Sequence, residues 1–307
     1  MKISTSLYFD RSSQQLGNVQ ANLTKTQEQL STGLQIVKPS DAPDKASLVT
    51  RLEGELARQT SYQDTLKSVN IRLTAEETAL KNTSDVMYRI KELAVQAAND
   101  TLSPQDRQSV ALELSTLRDQ VLSLGNSQDS NGNYLFSGSK AGTPAFSKDA
   151  SGRVSYDGDQ ARMKVNVGDN RRMNLNMPGS DMFVRVVRDD GKGGKTGVDF
   201  FQSLDDLVKA VQSGDHTTIQ RGISEVDTLQ NGISQGLGQV GADLGVVDLQ
   251  TNVLDQVVLR LKTTKSDVED LDYTEAITRM NKDQLALEAA QSSFAKISQL
   301  SLFKFLN

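Results

Sequence analysis

Apolar residues recur at seven-residue steps over both ends of this chain. In the stretch 270–306, Tyr273, Met280, Leu287 and Phe294 fall seven apart, and Ala276, Ala290 and Ile297 sit three further along. On a helix these two sets share one side. No Gly or Pro interrupts the stretch, so the pattern predicts a helix of more than thirty residues, about 50 Å long at 1.5 Å per residue. Leu300, Leu302, Phe303, Phe305 and Leu306 crowd its end without a polar cap. Chain ends are normally soluble and frayed, so either the rest of the chain or another molecule must cover these side chains. Residues 1–37 carry the counterpart, a ladder of Phe9, Leu16, Leu23, Leu30 and Val37 with Val19 alongside. Charges there are scarce, and the outer faces hold Ser, Thr, Asn and Gln. A lone solvated helix is usually laced with ion pairs, so these faces are expected to meet other protein. The competing reading is an ordinary surface helix packed on its own domain. Gly33 and the Pro39–Pro43 turn close the helix, because each Pro drives the preceding residue out of the α region.

A second helical block runs from about Ala46 to Ala98, with Leu52, Leu66, Leu73, Leu80, Met87 and Ala94 on one heptad position and Val69 and Ile90 beside them. Ser103 and Pro104 read as the N-cap and first residue of the next helix. That helix carries Val110, Leu114, Leu117, Val121 and Leu124 and stops near Gly125. From Asn131 to about Val198 the pattern shortens to two-residue alternation punctuated by Gly. Strands are expected at 133–136, 153–156, around Val165 and Val167, around Met173 and Leu175, and at 182–187. Helix returns at Asp199 and again at Thr217, which is the expected cap. A Gly-rich joint at 236–245 then separates the latter from a last helix carrying Leu249, Val253, Val257 and Leu261.

The predicted fold is therefore mainly α: long terminal helices pairing as a coiled coil, a discontinuous helical bundle, and a small inserted β domain. The expected divisions are 1–45 plus 271–307, 46–130 plus 199–270, and 131–198. Each half of the bundle has an incomplete apolar seam until the other returns, so the two chain ends must lie side by side.

Composition narrows the chemistry. Aromatic residues are 5% of the 307 and Trp is absent, which suits long polar-faced elements better than a thick core. The net charge is −5 and Lys and Arg form no blocks, which argues against nucleic acid as a partner. Without cysteine there is neither a disulfide framework nor a thiolate metal site, and the single histidine, His216, all but removes zinc and triad chemistry. There is no eighteen-residue apolar run for a membrane span, and no cleavable leader pattern at the N-terminus. On these grounds alone the expected compartment is the cytosol. Gly236–Gly241 spells a dinucleotide fingerprint, but helical periodicity rather than a strand precedes it. The 129–133 stretch opens like a calcium loop, yet Tyr134 and Lys140 stand where that loop needs Gly and Glu. The adjacent pairs Glu76/Glu77 and Asp205/Asp206 point apart on a helix and read as solvated faces rather than an acid–base pair. No catalytic, cofactor or metal residue is expected, and the chain is read as a non-enzyme.

The ladder ending in Leu30–Ile36, the Pro39–Pro43 turn, Lys91–Asp100, the stretch from Asp270 to Ile277, and Ala286–Phe294 with the Leu-Ser-Leu-Phe that follows are together similar to the bacterial flagellin family. The resemblance covers about residues 1–138 and 240–307. The Pro39–Pro43 turn, Gly132–Gly138 and the Phe-rich terminus resemble subunits of the hook–filament junction more than filament flagellins. This resemblance implies a structural subunit of the extracellular flagellum, secreted through the flagellar type III apparatus without a cleaved signal peptide. It reverses the cytosolic expectation. The implied partners are the preceding (first) hook-associated protein, flagellin, further copies of the chain in the junction ring, and an export chaperone. The implied layers are terminal helices as an inner tube, the bundle as a shell, and the β insert facing outward. Terminal helices with charge-poor faces are expected to order only when neighbours complete their seam. Phe9, Leu16, Leu23, Leu30, Leu287, Phe294, Ile297, Leu302 and Phe303 are the expected assembly residues, with intramolecular pairing as the competing role for each. A filament flagellin, and a soluble coiled-coil adaptor or signalling protein, stand as alternatives.

Overall fold

The computed structural model describes residues 2–99, 102–189 and 194–303; the side chains of residues 2–6, Tyr8 and 297–303 lie outside that description. Six α-helices are described: α1 (Lys2–Thr32), α2 (Pro43–Ala97), α3 (Pro104–Gly125), α4 (Phe200–Ser213), α5 (His216–Glu269) and α6 (Tyr273–Phe303). Between α3 and α4 lie six short strands, β1 (Phe146–Lys148), β2 (Val154–Tyr156), β3 (Lys164–Gly168), β4 (Arg171–Asn174), β5 (Val186–Asp189) and β6 (Lys195–Val198). The chain divides into two compact units, residues 1–60 with 256–307, and residues 61–255.

In the larger unit the heptad ladders become the core. Leu66, Leu73, Leu80, Met87 and Ala94 of α2 are buried, as are Val69, Ile90 and Ala97 three residues on. Helix α5 answers with Ile219, Val226, Ile233, Val240, Val247 and Leu254, an unbroken seven-residue ladder, all buried. That ladder runs straight through the Gly-rich stretch 236–245, so the expected joint is instead continuous helix. Buried apolar positions outweigh the low helix propensity of the glycines. Pro104 opens α3, and the Ser103 hydroxyl accepts the Asp106 N–H. Asp215, not Thr217, caps α5: its carboxylate accepts the Thr218 N–H at 3.2 Å, and its carbonyl takes the Ile219 N–H.

The strands pair as three antiparallel ribbons, β1 with β2, β3 with β4, and β5 with β6. Phe136, Phe146, Phe183, Phe200 and Phe201 join them to α4, with ring centroids such as Phe146–Phe183 at 4.9 Å and Phe183–Phe200 at 5.1 Å. One expected strand does not form and another starts late. Around 133–136, the Asp129 carboxylate takes the N–H groups of Asn131 and Asn133, and Arg72 takes the carbonyls of Tyr134 and Leu135. Side chains thus occupy the groups that a ladder would need. At 182–187 a 3-10 turn, Gly179–Asp181, sends both Met182 and Phe183 into the core, and pairing begins only at Val186.

Glu76 departs from the expectation of a solvated face. It falls midway between Val69 and Thr83 on the inner ladder and is fully buried. Neither carboxyl oxygen receives a well-aligned hydrogen bond among the described residues, and Arg72 Nε stands 3.5 Å away. Burial pushes this carboxyl up to about 8; Arg72 and the Met177 backbone N–H oppose the shift in part, and Asp243 adds to it.

Candidate assembly interface

Helices α1 and α6 lie antiparallel in the smaller unit. A short connection fixes their register. Gly33 adopts φ 73, a conformation glycine enters without strain, and its N–H closes on the Gln29 carbonyl at 2.8 Å. The Gly33 carbonyl then accepts the Leu271 N–H at 2.9 Å, and Gln35 N–H donates to the Glu269 carbonyl at 2.7 Å. The side chain of Gln29, itself buried, donates to the Gln35 carbonyl at 2.6 Å. On the other strand of this crossing, Asp272 caps α6 by accepting the N–H groups of Thr274 and Glu275 at 2.8 and 3.1 Å. Lys25–Asp41 and Lys38–Glu28, each at 3.1 Å, tie the turn at 38–41 back to α1. The Lys25 hydrogen bond is the main reason the Asp41 carboxyl lies below its usual range.

Of the expected assembly residues, the structure brings Phe9 and Phe294 together, with ring centroids 4.8 Å apart at the far end of the pair. Leu16, Leu23, Leu30, Leu287 and Phe294 are half-buried, and Phe9 is 44% exposed. Ile297, Leu302 and Phe303 belong to α6, but their side chains lie outside those described, and Phe305 and Leu306 lie outside the described residues. Full burial among the described side chains of the pair is confined to Thr26, Gln29 and Ala276, with Leu271 buried at the crossing. Thr26 sits seven residues after Val19 and three after Leu23, so the ladder contained it; its polar identity hid it. Further apolar side chains point away into solvent, among them Leu7, Ile277 and, at 68% exposure, Leu285. The pair is therefore a two-helix seam that closes at its crossing and stays half-open along its length. Such a surface can recruit other apolar-faced helices.

His216 is the first residue of α5. No group of three or more metal-ligating side chains occurs among the described residues, and no described helix is long and apolar enough to cross a membrane.

Comparison with known proteins gives the family. Residues 3–141 match the bacterial flagellin N-terminal helical region, and residues 223–306 match the bacterial flagellin C-terminal helical region. The chain is 28% identical over 317 aligned positions to flagellar hook-associated protein 3 of Salmonella typhimurium, covering 99% of each. A flagellar hook-associated protein of Vibrio parahaemolyticus shares the fold at TM-score 0.67 and 24% identity, covering 75% of this chain and all of that one. The flagellar junction protein FlgL of Legionella pneumophila does so at TM-score 0.57 and 17% identity, over 66% of this chain and 99% of its own.

Proposed function

This chain belongs to the bacterial flagellin family, and from that premise we propose that it is the structural subunit joining the hook-associated zone to the flagellin filament. The observation that carries the reading is the α1–α6 seam: apolar side chains at seven-residue steps that two helices leave half-covered. Near-complete alignment with a hook-associated protein 3, rather than with one part of it, supports the junction position. The protein is a component of the flagellum and works by assembly rather than catalysis.

The mechanism follows from the open seam. Terminal helices pair within one subunit and finish burying their apolar edge against the helices of neighbours. Each contact joins different surfaces of successive subunits, so the array grows open-ended rather than closing as a dimer. Phe9, Leu16, Leu23, Leu30, Leu287, Phe294, Ile297, Leu302 and Phe303 carry the assembly. Residues 1–45 with 271–307 form an inner tube, 46–130 with 199–270 a surrounding bundle, and 131–198 an outward β domain. The partners are the first hook-associated protein on one side, flagellin on the other, and further copies between them. The subunit reaches this extracellular site through the type III export apparatus, escorted by a chaperone and without loss of a signal peptide. A chain lacking cysteine forms no disulfide that would hinder passage through a narrow channel in unfolded form.

Removal of residues 298–307 tests the reading. The truncated chain is expected to keep its helical circular dichroism, apart from the lost turns, but to leave hooks without attached filaments; normal motility would sink the proposal. Purified full-length protein that grows unaided into micrometre filaments would instead point to a filament subunit.

A further inference from the structure

Helix α5 holds six glycines, and they divide into two kinds. A Cβ at Gly222 would stand 2.7 Å from Leu207, one at Gly232 2.7 Å from Val184, and one at Gly236 2.3 Å from Met182. These three are needed for close packing. A Cβ at Gly238, Gly241 or Gly245 would meet nothing within 4 Å, and all three are exposed. None has a positive φ. Neither packing nor backbone geometry within the chain explains them. In a helix interior each glycine lowers the helical population about five-fold relative to alanine.

The three lie within eight residues, between two clamps. On the N-terminal side, Gly232 and Gly236 are seated beneath Met182 and Val184. On the C-terminal side, the buried Gln250 accepts from Arg171 at 2.9 Å and donates to the Val167 carbonyl at 3.2 Å. Between the clamps, Val240 and Val247 hold the inner face in the core. Helix α2 has no glycine after Gly54. Softness is thus confined to the solvent side of one helix, where bare backbone carbonyls and N–H groups can admit water and let the helix curve.

We propose that residues 238–245 are a bending joint in α5, through which the larger unit yields when its two sides are loaded unequally. The joint follows from the helix itself; its mechanical role rests on the junction reading above, since a subunit between two unlike polymers must absorb their mismatch.

Hydrogen exchange on the purified full-length monomer tests the joint without any assembly. Amides of 238–249 are expected to exchange at least about ten-fold faster than those of 222–233 and 250–256 in the same helix. The variant Gly238→Ala/Gly241→Ala/Gly245→Ala is expected to slow them by on the order of ten- to a hundred-fold while leaving the flanks unchanged. Uniform exchange along native α5, or no slowing in the variant, would overturn the joint. Cells carrying the variant are expected to build filaments but shed them sooner in viscous medium. Equal filament retention would overturn the mechanical role. Failure of labelled native protein to appear at the hook–filament boundary would instead remove the junction reading, and the exchange pattern would still decide the joint.

Discussion

Glu76 sets the energetics of the bundle core one proton at a time. Its carboxyl titrates near 4.5 in an unfolded chain and near 8 when buried. Between those values the unfolded state releases a proton that the folded state keeps, so stability falls as pH rises and levels off above about 8. Glu76→Gln should remove this slope. Urea midpoints of the two proteins should nearly coincide at pH 4, and at pH 7 the variant should be more stable by on the order of 3 kcal/mol. Parallel pH profiles would refute the assignment. The difference between the two proteins isolates Glu76 from groups that act in the opposite direction. Asp129 is one: burial opposes its ionisation, but the N–H groups of Asn133 and Asn131 hold its carboxyl below the usual range. Its contribution is lost as pH falls, and both proteins share it. Arg72 should be the less tolerant partner. Its guanidinium serves Asp129 and two carbonyls as well as Glu76, so Arg72→Ala should leave several buried acceptors unpaired and cost about 3–5 kcal/mol, read from the same urea curves.

The terminal helices are the elements whose pairing can be measured directly. The rings of Phe9 and Phe294 meet at a tilt of 43° across the seam, and a double-mutant cycle with Phe9→Ala and Phe294→Ala should return a coupling of about 0.5–1.5 kcal/mol by amide protection in α1. Strict additivity would mean the rings do not meet in solution. Asp272→Ala should weaken the start of α6 by about 1 kcal/mol, seen as faster exchange at Thr274 and Glu275. These elements were readable in advance because a seven-residue apolar step keeps one face of a helix turned inward over many turns. The Ser103–Pro104 start was readable for a similar reason, since few residues can fill those positions. The β insert was harder: strands of three to five residues offer too few alternations to resist competition from side-chain hydrogen bonds such as those of Asp129 and Arg72. Glu76, Thr26 and Gln29 were hidden by identity rather than position. All three sit where the periodicity turns inward, but polar residues are counted as solvent-facing until their partners are seen. In α5 the opposite error arose, because glycines suggested a break where the ladder from Ile219 to Leu254 held the helix together.

At the scale of the whole molecule the two compact units differ in how completely they bury their apolar surface. Nearly all of the buried apolar side chains belong to residues 61–255, whereas the described part of the α1–α6 pair adds only Ala276 and, at its crossing, Leu271. A helix pair of that kind gains little from burial to set against the conformational entropy of ordering some sixty residues, so its local opening should cost far less than global unfolding. Limited proteolysis of the dilute monomer should therefore remove both ends first and leave a resistant core of about residues 45–270. Cleavage within α1 and α6 should proceed at matching rates, since each helix depends on the other for its half-covered face. Mass spectrometry of the early fragments checks both points. In assembled flagella the same sites should be protected, because neighbouring subunits cover the edge that one subunit leaves open. Ends that resist protease equally in the monomer and in the flagellum would mean the seam is complete within a single chain, and assembly would have to be carried by some other surface.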